Sequence, residues 1–168
     1  MNSPFANIFL ALQRHIQVNL PAISYIDQDL GQLKPATRPP VLWPCMLIDF
    51  EDFNFENMGD NVQIATGTVV LTLGFAPHNS TSNNTPPLFL QRAISYYDTE
   101  WALHKLVHGW SPGHDYGCLI RTSAITQKRT DSYRVRELRY SLTFEDYSTK
   151  PQIQYTPATL VVTEQIQL

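Results

Sequence analysis

Apolar residues recur at three- and four-residue steps at Phe5, Ile8, Phe9, Leu12, Ile16 and Leu20, the spacing of one face of an α-helix. Ser3 stands where a cap belongs and Pro4 at the first helical position, so a helix is expected over residues 4–20, stopped by Pro21. The segment that follows, to Pro40, carries Gly31, Pro35 and Pro39 and reads as loop. Residues 41–50 form an apolar run that suits a strand buried on both faces, with Pro44 pushing it towards an edge or towards its own beginning. Residues 54–61 are polar, contain Gly59 and read as a connection. Over 62–76 the pattern alternates, with Ala65, Val69, Leu71, Leu73 and Phe75 sharing a face, which predicts a long strand antiparallel to the one before.

Between Pro77 and Pro87 the chain is polar, small and turn-prone, with almost nothing to bury, and reads as a flexible surface loop. Beyond it Leu90, Ile94, Tyr97 and Trp101 make one helical stripe that Leu103, Leu106, Val107 and Trp110 widen, until Gly109 and Pro112-Gly113 end the helix. Two strands are expected next, over 117–126 and 133–147, joined by a polar turn with Lys128, Arg129, Thr130 and Asp131. In the second, Leu138, Tyr140, Leu142 and Phe144 point one way and Val135, Glu137, Arg139, Ser141 and Thr143 the other, a half-buried strand. The order helix, strand pair, helix, strand pair predicts a single α+β domain over 1–150. Its mixed or antiparallel sheet is flanked by two main helices. A C-terminal extension over 151–168 holds a β-prone piece at 158–163, a candidate added strand or interface arm.

Composition narrows the class of function. The 168 residues suit one domain with a sizeable core. Only 16% are charged, well under the roughly 25% usual for soluble domains, and a thin charge coat favours lasting contact with other protein. The net charge of −3 argues against a general nucleic-acid binder. Charge is uneven along the chain: five of the 15 acidic residues are Asp49, Glu51, Asp52, Glu56 and Asp60, while six of the 12 basic ones lie between Arg121 and Arg139. If the two segments occupy opposite faces, copies of the chain can attract one another. Arg134, Arg136 and Arg139 with Asp49, Glu51, Asp52 and Glu56 are therefore candidate interface residues. Arg134 and Arg136 share the apolar side of their strand, where they either snorkel to solvent or reach a carboxylate of a neighbouring subunit. Reversing Arg136 and Arg139 to Glu is expected to weaken assembly more than folding. Cys45 and Cys118 sit among apolar neighbours and read as buried free thiols. Neither a secretory signal nor an apolar run long enough to span a membrane occurs.

Residue types that do chemistry do not assemble into a convincing constellation. His104 and His108 share a helix face and His114-Asp115 follows, but a zinc site needs three or four converging ligands, and no glutamate follows His104. Ser111 with His108 and Asp115 lacks the strand-to-helix elbow of an activated serine. Seven scattered glycines form no phosphate loop, and the acidic segment lacks the regular oxygen spacing of a calcium loop. No catalytic residue, metal or cofactor is expected.

The element order over residues 4–147 resembles that of the tail-terminator and tail-completion proteins of long-tailed bacteriophages. The closest local likeness is Ala-Leu-His-Lys-Leu-Val-His-Gly-Trp at 102–110, followed by the final strand from Arg134 that closes in Phe-Glu-Asp-Tyr. The resemblance implies a non-enzymatic virion protein, made in a bacterial cytoplasm, whose hexameric ring caps the tail tube and meets neck or connector proteins. DNA can pass through such a ring without sequence-specific contact, and no membrane is involved. Two other classes stay open: another head-tail connector or tube-associated subunit, and a His-based metal-binding domain or enzyme.

Overall fold

A computed structural model describes residues 3–34, 40–76 and 80–150. Helix α1 (Pro4–Asn19) begins where the sequence places it, with the Ser3 side chain accepting from the Ala6 amide. Strands β1 (Tyr25–Gln28), β2 (Cys45–Gly59) and β3 (Val62–Phe75) follow, then helices α2 (Pro87–Ile94) and α3 (Tyr96–Val107), then β4 (Ile120–Gln127) and β5 (Arg134–Asp146). The five strands form one sheet in the order β1-β2-β3-β5-β4, parallel only between β1 and β2. The fold is thus the expected α+β arrangement of a mixed sheet with helices, the helices lying against one of its faces.

That face holds the main core. Ile8, Leu12 and Ile16 of α1 and Leu103 and Val107 of α3 meet Met46 and Ile48 of β2, Val69, Leu71 and Leu73 of β3, and Leu138, Tyr140 and Leu142 of β5. The strand residues alternate, so their neighbours Cys45, Leu47 and Val135 turn to the other face. There they form a small second cluster with Leu33, against which Tyr25, Val41 and Trp43 pack.

The structure departs from the sequence pattern at five places. Residues 25–28 form a strand, although Asp27 and Gln28 give it no strand-like signal, because pairing with Cys45–Ile48 satisfies their backbone. Residues 41–44 lie outside the sheet, which β2 enters only after Pro44. The expected connection at 54–61 is mostly strand: 54–59 pairs with 62–66, and Asp60 and Asn61, at φ 51° and 60°, make the two-residue hairpin turn. Most of its residues are polar because this end of the hairpin is exposed on both faces, and even Phe55 and Met58 are exposed there. The single long helix is two segments, broken at Ser95, whose hydroxyl donates to the Arg92 carbonyl at 2.9 Å. Finally, β4 begins at Ile120, and Cys118 just before it is exposed, whereas Cys45 is buried as expected. Residues 117–119 instead tie the end of α3 to the sheet, through Gly109 N–H to Leu119 O at 2.8 Å and Gly117 N–H to Thr143 O at 2.7 Å. The 151–168 extension and residues 77–79 of the polar loop lie outside the described residues.

Candidate functional site

Strand β5 delivers Arg134 and Arg136 to the helix face and Arg139 to the opposite one, by simple alternation. Each guanidinium is engaged within the chain. Arg136 grips Glu100 of α3 with two bonds, Nε to Oε2 and Nη2 to Oε1, both 2.7 Å, and also reaches the Thr126 hydroxyl. This hydrogen bonding raises the Arg136 pKa further. Arg134 donates to the Tyr96 hydroxyl at 2.7 Å and stacks its guanidinium 4.1 Å from that ring's centre. Arg139 lies across β3 to reach Glu51 of β2 at 2.7 Å and its own strand's Glu137 at 3.2 Å. The acidic and basic segments therefore touch, on the same sheet face, where the sequence allows them to sit on opposite sides.

The other candidate carboxylates stand differently. Asp49 accepts from the Phe50 amide. Asp52 is exposed at a β-bulge with φ 55°, and Glu56 is exposed on the hairpin. Among the described residues none of these three forms an ion pair.

Helices α2 and α3 hold the feature that periodicity assigns to the wrong side. Leu90, Ile94, Tyr97 and Trp101 are a regular stripe and are expected to face the core. The structure buries Ala93, Tyr96, Glu100, Leu103 and Val107 instead. Ile94, Tyr97 and Trp101 face solvent as a ridge, Trp101 at 63% exposure, and Leu88 and Phe89 in the first turn of α2 are exposed as well. The rotation is set by polar bonds: Glu100 and Tyr96 must face Arg136 and Arg134. The visible signal was an acidic residue in one of two competing stripes, opposite arginines on the apolar side of β5. Leu103 and Val107 are core as expected, and Leu106 and Trp110 pack against it.

A second apolar surface lies beside α1. Phe5, Ala6, Phe9 and Leu10 of the helix, with Gln28 of β1 and Phe50 of β2, line an open groove of about 320 Å³. Leu10 is half exposed on its rim. The floor is backed by a cluster of rings in which Phe5 meets Phe50, Phe53 and Phe144 at centroid distances of 5.2, 5.0 and 5.6 Å.

The remaining candidates for chemistry are held in structural roles. Ser111 donates to the carbonyls of Gly113 and Tyr116 at 2.8 Å, and His108 Nδ1 accepts from the Arg121 amide at 3.1 Å, so the two side chains are not a nucleophile and base. His104 and His108 lie with ring centres 5.0 Å apart. Among the described residues no three His, Cys, Asp or Glu side chains converge as metal ligands. Burial pushes the Cys45 thiol up to about 12, which keeps it protonated.

His104 gives a pH-dependent prediction. Burial, then the charges of Arg121 and His108, hold its pKa below the ordinary value, with Glu100 opposing them. A histidine depressed on folding stabilises the folded state fully above its unfolded pKa of about 6.5, and that stability drains as pH falls through the folded value. The urea midpoint is expected to fall between pH 7 and 5, and less steeply in His104→Gln. Equal slopes for the two proteins would remove His104 from the account.

No protein-family model matches the sequence, and no curated protein is similar to it. Among solved structures the chain is similar to one from the "Virion of native gene transfer agent (GTA) particle". The match has 11% sequence identity, a TM-score of 0.50, and covers 85% of this chain and 95% of that one. Sequence identity this low makes the likeness one of fold. No helix among the described residues is long and apolar enough to cross a membrane.

Proposed function

We propose that the chain is a structural, non-enzymatic subunit of a phage-like virion, and that copies of it form a ring, hexameric by the resemblance, which ends a tail tube and meets neck or connector proteins. The observation that carries this reading is the α2–α3 pair, which buries one apolar stripe in the core and exposes Ile94, Tyr97 and Trp101 on its outward side. Exposed aromatic and aliphatic side chains grouped on one helix face, with no cover among the described residues, suit contact with another protein chain. The backbone likeness to nearly the whole of a virion chain supports the same class. A ring calls for heterologous contacts, in which one face of a protomer meets a different face of the next.

Size-exclusion chromatography with light scattering tests the reading on the full chain. The expected result is a discrete assembly of about six times the 19.2 kDa protomer, seen as rings by negative-stain microscopy. A particle that stays monomeric at every accessible concentration would refute it. The likeness to a GTA chain extends to a virion and to no particular place in it, which keeps a second reading beside the first, a different head-tail connector or tube-associated subunit. Labelling of the chain in intact particles separates them: density at the tail end supports the terminator, density elsewhere the alternative.

A further inference from the structure

Strand β4 lies at one edge of the sheet, and its outer side is capped only at its start. There Gly109 N–H donates to the Leu119 carbonyl at 2.8 Å, and the Arg121 amide donates to His108 Nδ1 at 3.1 Å. From Ser123 to Gln127 nothing among the described residues pairs that side. Natural proteins blunt an open edge with charge, proline or a bulge. Residues 123–127 are Ser-Ala-Ile-Thr-Gln, without charge or proline, and the bulge of β4 lies before Ser123. We propose that this edge accepts residues 158–163 of a second copy as an added strand. The inference rests on the ring reading and names a contact that builds it.

The position of α3 says what kind of strand fits. Glu100 sits on Arg136 of β5, whose guanidinium also reaches Thr126 of β4, so α3 lies over these two strands. Tyr97, Trp101, His104 and His108 recur at three- and four-residue steps and share one side of α3. His108 meets β4, which puts the Tyr97 and Trp101 rings on the side of the helix above this edge. A strand added to β4 extends the sheet beneath them, and its helix-facing side chains cover rings that are 53% and 63% exposed. On the other sheet face it lies beside Ile125, which is 45% exposed. The fitting strand is therefore uncharged, β-branched and apolar towards the helices.

Residues 158–163, Ala-Thr-Leu-Val-Val-Thr, have that character. Alternation puts Leu160 and Val162 on one face, suited to the rings, and Thr159, Val161 and Thr163 on the other, beside Ser123 and Ile125. Reach selects a second copy as the donor. The described chain departs at the tip of the β2–β3 hairpin, where the Thr149 hydroxyl donates to the Asn61 carbonyl at 2.7 Å. Ser123 lies opposite Arg139, and from there to the end of β5 at Asp146 is roughly 24 Å, with two strand spacings of ~4.8 Å to cross sideways. The stretch from Lys150 to Ala158 spans at most about 29 Å, so the same copy reaches the edge only by doubling back fully stretched. Adding a strand to an open edge is a general way for one chain to hold a segment of another. Each copy then donates an arm and accepts one, the head-to-tail relation a ring requires.

Cysteine pairing tests the contact on the full chain in a Cys118→Ser background. Ile125→Cys protein is co-expressed with each of Thr159→Cys, Leu160→Cys, Val161→Cys, Val162→Cys and Thr163→Cys, and the assemblies are oxidised. Ile125 lies on the sheet face away from the helices, so disulfide-linked dimers are expected with position 159, 161 or 163 and not with 160 or 162. Linkage at none of the five, or at 160 and 162 instead, overturns the proposal. Ile125→Cys protein that links to itself overturns it too, by making a second β4 the occupant. So does a link that forms only within one chain carrying both cysteines, which makes the arm the chain's own. Val161→Pro removes a main-chain donor from the arm; it is expected to leave the protomer's circular dichroism unchanged and to give monomer at concentrations where the unmodified chain assembles. Assembly of that variant as in the unmodified chain overturns the contact while leaving the ring reading standing. If the unmodified chain itself never assembles, the ring reading fails and the contact with it.

Discussion

Replacing Arg136 by Ala is expected to lower the unfolding free energy by about 3–5 kcal/mol, the range for removing one partner of a buried ion pair. The pair qualifies: Arg136 and Glu100 side chains are 15% and 11% exposed, joined by two bonds of 2.7 Å. Removing the guanidinium leaves the Glu100 carboxylate under α3 without its counter-charge, beside the apolar residues Leu103 and Leu138. Glu100→Ala should cost a similar amount, since it strands the arginine. The double replacement Arg136→Met with Glu100→Leu should recover most of the loss, because it is the uncompensated charge that destabilises. Urea titrations followed by tryptophan fluorescence, run under conditions that keep the chain monomeric, decide the matter. A loss under about 1 kcal/mol, the value of a surface pair, would mean that water reaches the site and that the pair does not fix α3. The in-chain pairing also reorders the effect of reversing Arg136 and Arg139. Glu at 136 would face Glu100, and Glu at 139 would face both Glu51 and Glu137, so folding should suffer ahead of assembly.

The same pair shows where sequence pattern stops being informative. Period-3.6 and period-2 spacing locate α1, β3 and β5 within a few residues, because α1 and β5 each have a drier and a wetter face and β3, though buried on both faces over its second half, keeps its large apolar residues on the helix side. Strand β1 escapes, since four residues carry too few alternations and its stability comes from β2. The distal half of β2 escapes for the opposite reason: both faces of the hairpin end are exposed, so nothing demands apolar residues there, and only Asp60-Asn61 hints at the turn. In α2 and α3 two apolar stripes compete. Hydrophobic content favours Leu90, Ile94, Tyr97 and Trp101, yet the buried stripe contains Glu100, which a count of apolar residues scores against it. What decides the rotation is a long-range ion pair to a strand 36 residues later, and no window on one helix can see that. For the candidate interface residues, pattern identified charges that matter but not their partners, because a guanidinium on an apolar strand face is equally consistent with a partner in the same chain or in the next. The outward ridge itself was present in the sequence as a stripe; only its direction was not.

Gly67→Ala is expected to destabilise the fold by about 3 kcal/mol, the upper end of the usual cost of overpacking, and Gly67→Val by more. Gly67 lies on the helix face of β3, paired with Leu142 of β5, and β2 is bulged directly opposite it, between Glu51 and Asn54. The bulge turns Phe53 inward over the glycine. A Cβ at position 67 would stand 2.5 Å from Cδ2 of Phe53 and 2.8 Å from its Cα. A ring can rotate away from such a clash but a backbone atom cannot, so the bulge itself must shift, with Asp52 already at φ 55°. Phe53 packs edge-on against Phe5 and tilted against Phe144, at 5.0 and 5.8 Å, and Phe5 lines the groove beside α1. The strain should therefore spread into the core as lost stability and, through Phe5, to the wall of the groove. A double-mutant cycle with Phe53→Ala separates the ring from the backbone. If the ring carries most of the clash, Gly67→Ala will cost much less in the Phe53→Ala background, with a coupling of about 1 kcal/mol or more, as for residues that touch. If the two losses simply add, the clash with the Phe53 backbone is decisive and the bulge is the rigid element. A Gly67→Ala protein as stable as the unmodified chain would mean that Phe53 does not cover this glycine, and that the bulge is not what shapes the floor of the groove.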